Sequence, residues 1–405
     1  MRPRGDAARD ARRRALRLAF VIQRYGLEVN GGAELHCRWL AERLARRHHV
    51  EVFATRALDY LEWKNHYPEG TEVVHGIPVH RHTVKRTRNA RAFASLSNLC
   101  FHESHTREEE EQWVRENGPF SPALVKAVAR SRERFDRILF YCFRYYHSYH
   151  GLPPVRERAI LVPTAEEDPA VHLGIMKPFF GLPRGIVYLT PEEQALVEDA
   201  SGNRGLPSVV IGSGLNLPEP DPALDFRRQH GLTRPFLLYV GRIDKNKGCV
   251  TLFAYFRKFR EETGAEVDLV LAGRSVVKIP DDPHVRHVGF ISEQEKVAAL
   301  GQCALLVMPS PYESLSVVTL EAWKLGVPVL ANARCKVLAG QCLRSNGGLF
   351  YHGYAEFAEG LRLLLERPAL ARELGRQGRD YVEREYAWET IDARLDELFA
   401  RTGSG

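Results

Sequence analysis

The 405-residue sequence predicts an α/β protein of two doubly wound parallel-sheet domains facing across a cleft. Three observations predict it. Short apolar runs of strand character alternate with stretches whose apolar residues recur at helical spacing along nearly the whole chain. That alternation breaks once, near 212–222, in the aperiodic, Gly- and Pro-rich stretch IGSGLNLPEPDPALDF. The length is too great for one hydrophobic core and suits two of roughly 200 residues each.

The elements follow in order. A basic tail, 1–15, has almost nothing apolar to bury and is expected to be disordered. Leu16–Gln23 reads as a buried strand, followed by the polar loop RYGLEVNGGAE and a helical pattern over Ala33–Arg47. Val50–Ala54 is a second strand, so the chain opens with a β-α-β unit, whose crossover makes a parallel sheet. Further strands are expected at Arg137–Tyr141, Ala159–Val162, Gly185–Leu189 and Ser208–Ile211. Thr190, with Pro191 next and Glu193 three on, forms a capping box that opens the helix PEEQALVEDA. After the linker the pattern restarts, with strands at Phe236–Val240, Val267–Ala272, Val285–Gly289, Ala304–Met308, Val327–Ala331 and Gly348–Tyr351. Helices are expected near Val250–Thr263, over SEQEKVAALGQ and SLSVVTLEAWKLG, and through 355–401. The domains are therefore read as 16–212 and 213–385, with a C-terminal helix at 386–405 packing back on the first.

Charge narrows the function classes. The net charge is +6, but Met1 to Arg17 hold seven Arg against two Asp, so five of the six charges belong to the tail. A nearly neutral body lacks the basic stripe of a nucleic-acid footprint, and nucleic acid is excluded as a partner. No apolar run approaches the ~18 residues of a membrane span, and the Arg cluster precedes only a short apolar stretch without a cleavage-like site, so a cytoplasmic location is expected. Seven scattered cysteines without a C-x-x-C pair indicate neither a disulfide framework nor a zinc site. The run HRHTVKRTRNAR (80–91) packs five Lys or Arg without an acid. It reads as a solvated loop or as a contact for an anionic acceptor or the inner face of a membrane, a peripheral association.

Three motifs carry chemistry. In LYVGRIDKNKG, Gly241 permits close backbone approach where a strand ends, and Arg242 and Lys247 offer two cations that fit a diphosphate or a plain surface loop. In MPSPYESLSVVTLEAWKLGVPVLAN, Glu313 stands in a loop, Ser314, Leu315 and Ser316 open a helix, and Glu321 lies two turns in. The free N–H groups of that helix start suit a phosphate, and the two carboxylates can accept hydrogen bonds from sugar hydroxyls. Near the start, Gly31 and Gly32 lie at the mouth of the first helix, as a turn or as a wall of the same cleft.

Taken together, GGAE at 31–34, GRIDKNKG at 241–248, LAG at 271–273 and the Glu313-(seven residues)-Glu321 pattern resemble the nucleotide-sugar glycosyltransferases of family 4. Those enzymes have the GT-B architecture of two Rossmann-like domains. The resemblance implies a retaining transfer of a sugar from a nucleoside diphosphate sugar to a glycan, lipid or small-molecule acceptor, in surface polysaccharide or glycoconjugate synthesis, with no required metal or other cofactor. By position it makes Arg242 and Lys247 the holders of the diphosphate. It sets Glu313 on donor-sugar hydroxyls, Glu321 on the nucleotide ribose, and Gly31 and Gly32 near the phosphate. The absence of a D-x-D pair agrees, since two cations and a helix terminus can stabilise a departing diphosphate.

One position departs from the pattern. Where similar sequences read PTAHDEP this chain has PTAEEDP, so Glu166 replaces a cleft His, and an ionised carboxylate accepts hydrogen bonds but cannot donate them. His147 and His150, in YYHSYHG, are either stand-ins for that His or polar loop residues. Gly347 and Gly348 are expected to form a tight turn, with Arg344 a second anion contact in the alternative reading. The departure keeps a second function open, a degenerate GT-B protein that binds a nucleotide sugar or glycan without turning it over. A nicotinamide-dependent dehydrogenase is disfavoured, because no G-x-G-x-x-G follows the first strand.

Overall fold

The computed structural model describes residues 14–29 and 31–403, so nearly all of the basic tail lies outside the described residues. Two sheets organise the chain. The first contains β1 (Arg17–Ile22), β2 (His49–Thr55), β3 (Gly70–Val74), β4 (Ile77–His82), β5 (Arg137–Tyr141), β6 (Ala159–Val162), β7 (Gly185–Tyr188) and β8 (Ser208–Val210), in the order β3-β4-β2-β1-β5-β6-β7-β8. Every pairing is parallel except β3 with β4. The second contains β9 (Phe236–Val240), β10 (Asp268–Ala272), β11 (Val285–Gly289), β12 (Leu305–Met308), β13 (Val329–Asn332) and β14 (Gly348–Tyr351), all parallel, in the order β11-β10-β9-β12-β13-β14. Both are doubly wound sheets whose strand order reverses beside the first strand of the domain.

Central strands such as β5, β6 and β10 are buried along their whole length, as parallel strands covered on both faces must be. One apolar cluster runs from Phe20 and Leu40 through Ile211, Tyr386 and Leu338 to Leu238 and Leu306, and so joins the two domains. Two others cover the outer faces, around Phe140 and Phe180 in the first domain and around Phe256 and Leu361 in the second.

Twelve strands lie where the sequence places them, with ends shifted by at most two residues. The hairpin β3-β4 is an addition. Its turn is His75-Gly76, with φ of +46° and +81°, the geometry of a two-residue hairpin connection. Because β4 takes in His80, Arg81 and His82, the basic run begins as a strand, and only beyond it, at Lys85, Arg86 and Arg91, are its cations exposed. Arg81 is buried, bonded to Glu72 and to the Tyr25 carbonyl, and Arg88 bonds the Asn117 carbonyl between the rings of Trp63 and Phe93. Helices Ala90–His102, Arg107–Asn117 and Pro122–Ser131 follow it before β5.

The chain crosses between domains at two places side by side. Gly212 has φ +63°, and a Cβ on it would lie 1.9 Å from Tyr386, while one on Gly214 would lie 2.4 Å from the Trp388 ring. The last helix, Trp388–Arg401, then lies against the first domain. Arg43 Nε donates to Asp392 at 2.9 Å, Arg47 to Asp396 at 3.1 Å, and Arg137 to the Phe399 carbonyl at 3.1 Å. No helix among the described residues is long and apolar enough to cross a membrane.

Candidate active site

In the second sheet the order reverses between β9 and β12, and ligands of open α/β sheets bind at the carboxyl ends of the strands flanking that point. The loop after β9 carries Gly241, Arg242 and Lys247, and the loop after β12 carries Glu313, Ser314, Leu315 and Ser316. Glycine brings the two loops together. Gly248 has φ +76°, and a Cβ there would lie 2.2 Å from the Pro309 carbonyl oxygen, so the helix Cys249–Thr263 begins hard against the end of β12. Buried Asp244 organises the first loop by accepting from the Lys247 backbone N–H at 2.6 Å and from the Arg242 guanidinium. Lys247 Nζ then donates to Glu313 Oε1 at 2.7 Å.

Arg242 reaches the first domain. Its guanidinium donates to the Tyr60 hydroxyl and lies 5.1 Å from that ring's centroid, while Arg24 lies 5.5 Å from the same ring. Arg24 in turn pairs with buried Glu34 at 2.5 Å, and Gln23 Nε2 donates to the same carboxylate oxygen at 2.9 Å. A Cβ on Gly31 would lie 2.2 Å from the other Glu34 oxygen, whereas one on Gly32 would meet nothing within 4 Å. Both glycines are exposed at the start of the helix Gly32–Ala45. A chain of contacts thus runs from the GGAE turn through Arg24 and Tyr60 to Arg242.

Glu166 faces Lys247 from the loop after β6. Buried Glu193 fixes this loop, accepting the Ala165 N–H at 2.6 Å and the Leu189 N–H at 2.5 Å. Burial pushes the Glu193 carboxyl up to about 8 while those N–H bonds pull it down. Burial also raises Glu166 above the usual carboxylate range; Lys247 and Arg144 oppose the rise, and Glu313 and Asp168 add to it. For Lys247, burial works against the charge, but Glu313 and Glu166 outweigh it and lift its pKa. Arg144 pairs with Asp168 at 2.6 Å, and Lys336 crosses the gap to Glu167 at 2.8 Å. The result is a mixed-charge array shared by both domains.

The helix after Glu313 spans Val317–Lys324 and so starts three residues later than the sequence suggests. Ser316, at φ +62°, is the residue before it, and its hydroxyl bonds Thr319 at 2.8 Å. Ser314, Leu315 and Ser316 therefore form the approach to the helix, and the Ser314 carbonyl accepts from Thr190 of the first domain at 3.3 Å. Glu321 is buried inside the helix and pairs with Lys296 at 2.8 Å.

Four readings of the sequence require correction. His147 is fully buried, with Nε2 donating to the Tyr141 carbonyl at 2.9 Å, and burial lowers its pKa to about 4. His150 packs its ring 4.5 Å from Tyr146 with Nε2 sealed from solvent, so neither imidazole lies open beside Glu166. Arg344 is not an open anion contact either, since it pairs with Glu192 and ties the domains together. The reversal after the helix Lys336–Ser345 is made at Asn346, with φ +50°, and not by a Gly347-Gly348 turn: Gly348 already opens β14, and the two glycines lie close to Trp323 and the Val329 carbonyl. Sequence reasoning passed over Tyr60, Arg144, Asp244 and Lys296. Asp244 had a local signal, an acid two residues after Arg242 in a loop.

The comparisons with known proteins point the same way. Residues 222–381 match the family described as Glycosyl transferases group 1. An alpha-maltose-1-phosphate synthase of Mycolicibacterium smegmatis is 27% identical over 217 residues, 46% of this chain and 53% of that protein. A D-inositol 3-phosphate glycosyltransferase of Streptomyces avermitilis is 27% identical over 282 residues, 62% of this chain and 59% of that one. The chain spans about half the length of the first curated relatives it matches. Among solved structures, a sucrose-phosphate synthase from Thermosynechococcus elongatus superposes with a TM-score of 0.70 at 20% identity, covering 95% of this chain and 98% of that one. The Anabaena protein HepE, in complex with UDP and glucose, gives 0.69 at 16% identity, covering 95% and 99%. Two doubly wound domains facing across a cleft, superposing along almost their whole length on such structures, give the chain the GT-B fold, and its second domain matches the group 1 glycosyl transferases over residues 222–381.

Proposed function

We propose that this protein transfers a hexosyl group from a nucleoside diphosphate sugar to a glycan, lipid or small-molecule acceptor with retention of anomeric configuration, in the manner of family 4, and that it serves surface polysaccharide or glycoconjugate synthesis. The observation that carries the reading is the Lys247–Glu313 pair at the reversal point of the second sheet, with Arg242 beside it and Glu166 facing it. Arg242 and Lys247 take the diphosphate, balancing the charge that grows as the bond to the anomeric carbon breaks, and no metal is required for this. Glu313 holds donor-sugar hydroxyls, and Glu321 meets the ribose. Gly31 and Gly32 lie near the phosphate, and the acceptor lies on the first-domain wall, where Glu166 accepts a hydrogen bond from a sugar or acceptor hydroxyl. HepE, a fold relative, was crystallised with UDP and glucose, which supports a donor of this class.

The reading is tested by incubating the protein with a panel of nucleotide sugars and measuring release of free nucleoside diphosphate, with and without candidate acceptors. Acceptor-dependent release supports the transferase. Binding of a nucleotide sugar with no release under any condition would favour the second reading, a binding protein, which Glu166 in the place of a hydrogen-bond-donating His motivates.

A further inference from the structure

Lys296 has no role in the site as described so far, and its surroundings are unusual for a lysine. It lies on the helix Glu293–Gln302, whose start is fixed by the Ser292–Glu295 capping box. The side chain turns inward, and the residue is only 8% exposed. Its Nζ donates at 2.8 Å to Glu321 Oε1 and lies 2.8 Å from Glu293 Oε2. Glu321, on the neighbouring helix Val317–Lys324, is 1% exposed. Burial raises the Glu321 carboxyl and Lys296 opposes that rise, while Glu321 and Glu293 keep the lysine charged. A buried ion pair contributes little net stability against an apolar pair of the same volume, so its presence here calls for a function.

The pair is also asymmetric. Glu321 Oε1 is held by Lys296, while Oε2 makes no hydrogen bond among the described residues and is not among the atoms sealed from solvent without a partner. An ionised carboxylate with one oxygen clamped and the other open is an acceptor aimed in one direction, suited to a vicinal diol. We propose that Lys296 is the positioning residue of the nucleoside subsite: it holds Glu321 ionised and oriented so that the free oxygen accepts from the ribose hydroxyls of the nucleoside diphosphate. This rests on the reading of Glu321 given under the proposed function. Lys296 itself touches no ligand and acts through the carboxylate.

The experiment compares uridine, guanosine and adenosine diphosphates by calorimetry, then takes the tightest of them together with its 2′,3′-dideoxy analogue. Wild type is expected to lose about tenfold in affinity when the two hydroxyls are removed, the low end for hydrogen bonds to a charged group. In Lys296→Met that difference should vanish, with the parent nucleotide bound about tenfold more weakly and the dideoxy analogue bound as by wild type. Lys296→Arg should retain most of the difference. In a Glu321→Gln background, Lys296→Met should change nothing further, and this double variant also relieves the stranded carboxylate if the single one folds poorly. Equal weakening of both ligands in Lys296→Met would reduce Lys296 to a structural prop and overturn the proposal, as would unchanged affinity. A wild type that binds none of the diphosphates would instead overturn the nucleotide reading itself.

Discussion

Lys247 Nζ donates to Glu313 Oε1 at 2.7 Å, and this one bond joins the loop after β9 to the loop after β12. The lysine thus has two tasks under the proposed function, holding the diphosphate and holding the carboxylate that meets the sugar. Arg242 has only the first. Each of Lys247→Ala and Arg242→Ala is expected to cost about 1.5–3 kcal/mol of transition-state stabilisation, roughly ten- to a hundredfold in kcat/KM. Lys247→Ala should be the more damaging. Wild-type turnover in the double variant would remove the diphosphate from this site.

The two glutamates should separate kinetically. Glu321→Gln touches a part of the donor that does not react, so it should weaken free nucleoside diphosphate and intact donor alike, raising KM more than it lowers kcat. Glu313→Gln should lower kcat and leave affinity for the bare nucleotide intact, because its carboxylate meets a ring that gains positive charge in the transition state. Calorimetry beside steady-state kinetics decides, and the reverse pattern would mean that the donor lies back to front.

Glu166 gives a pH dependence with a definite sign. Its carboxyl sits above the usual range because burial, Glu313 and Asp168 outweigh Lys247 and Arg144. Only the ionised form presents both oxygens purely as acceptors and carries the negative charge that strengthens those bonds, so kcat/KM should fall on the acid side at a pH above that of an ordinary glutamate. In Glu166→Gln that limb should be absent from the pH–rate profile; a limb of unchanged position there would assign the titration to another group.

Two buried histidines set an acid limit on stability. His36 bridges the Gly212 carbonyl and the Tyr141 hydroxyl, His147 bonds the Tyr141 carbonyl, and burial lowers both to about 4. In the unfolded chain they take up protons near 6.5, so the stability of the neutral forms is complete above that pH and declines below it. The loss should be about 1.4 kcal/mol per pH unit for each residue between 6.5 and 4. Urea unfolding at pH 6.5 and 5.0 measures it, and His147→Gln should remove one residue's share of the slope.

Much of this was legible in the chain. The strands of both sheets show because parallel strands covered on both faces are continuous apolar runs, as in RILFY and DLVLA. The β3-β4 hairpin was passed over although VVHGIPV carries its signal, two turn residues between apolar pairs. The helix Arg107–Asn117 hid behind its acidic run, although Thr106 and Glu109 form a capping box. In the site, Arg242, Lys247, Glu313 and Glu321 stand within local motifs and could be found there. Tyr60 could not, since it meets Arg242 from 182 positions away, and neither could Lys296, whose significance exists only in its contact with Glu321 on another helix.

The two crossings at 212–214 and 386–388 give the first domain a discontinuous chain. Its outer wall is completed by Trp388–Arg401, whose Asp392, Asp396 and Phe399 answer Arg43, Arg47 and Arg137. During synthesis the residues that begin this domain leave the ribosome first, yet they receive their last packing partner only after the whole second domain has emerged. Cutting the chain at the linker would therefore yield an amino-terminal fragment lacking a helix, and an independent first domain would have to be built by fusing residues 14–212 directly to 386–403.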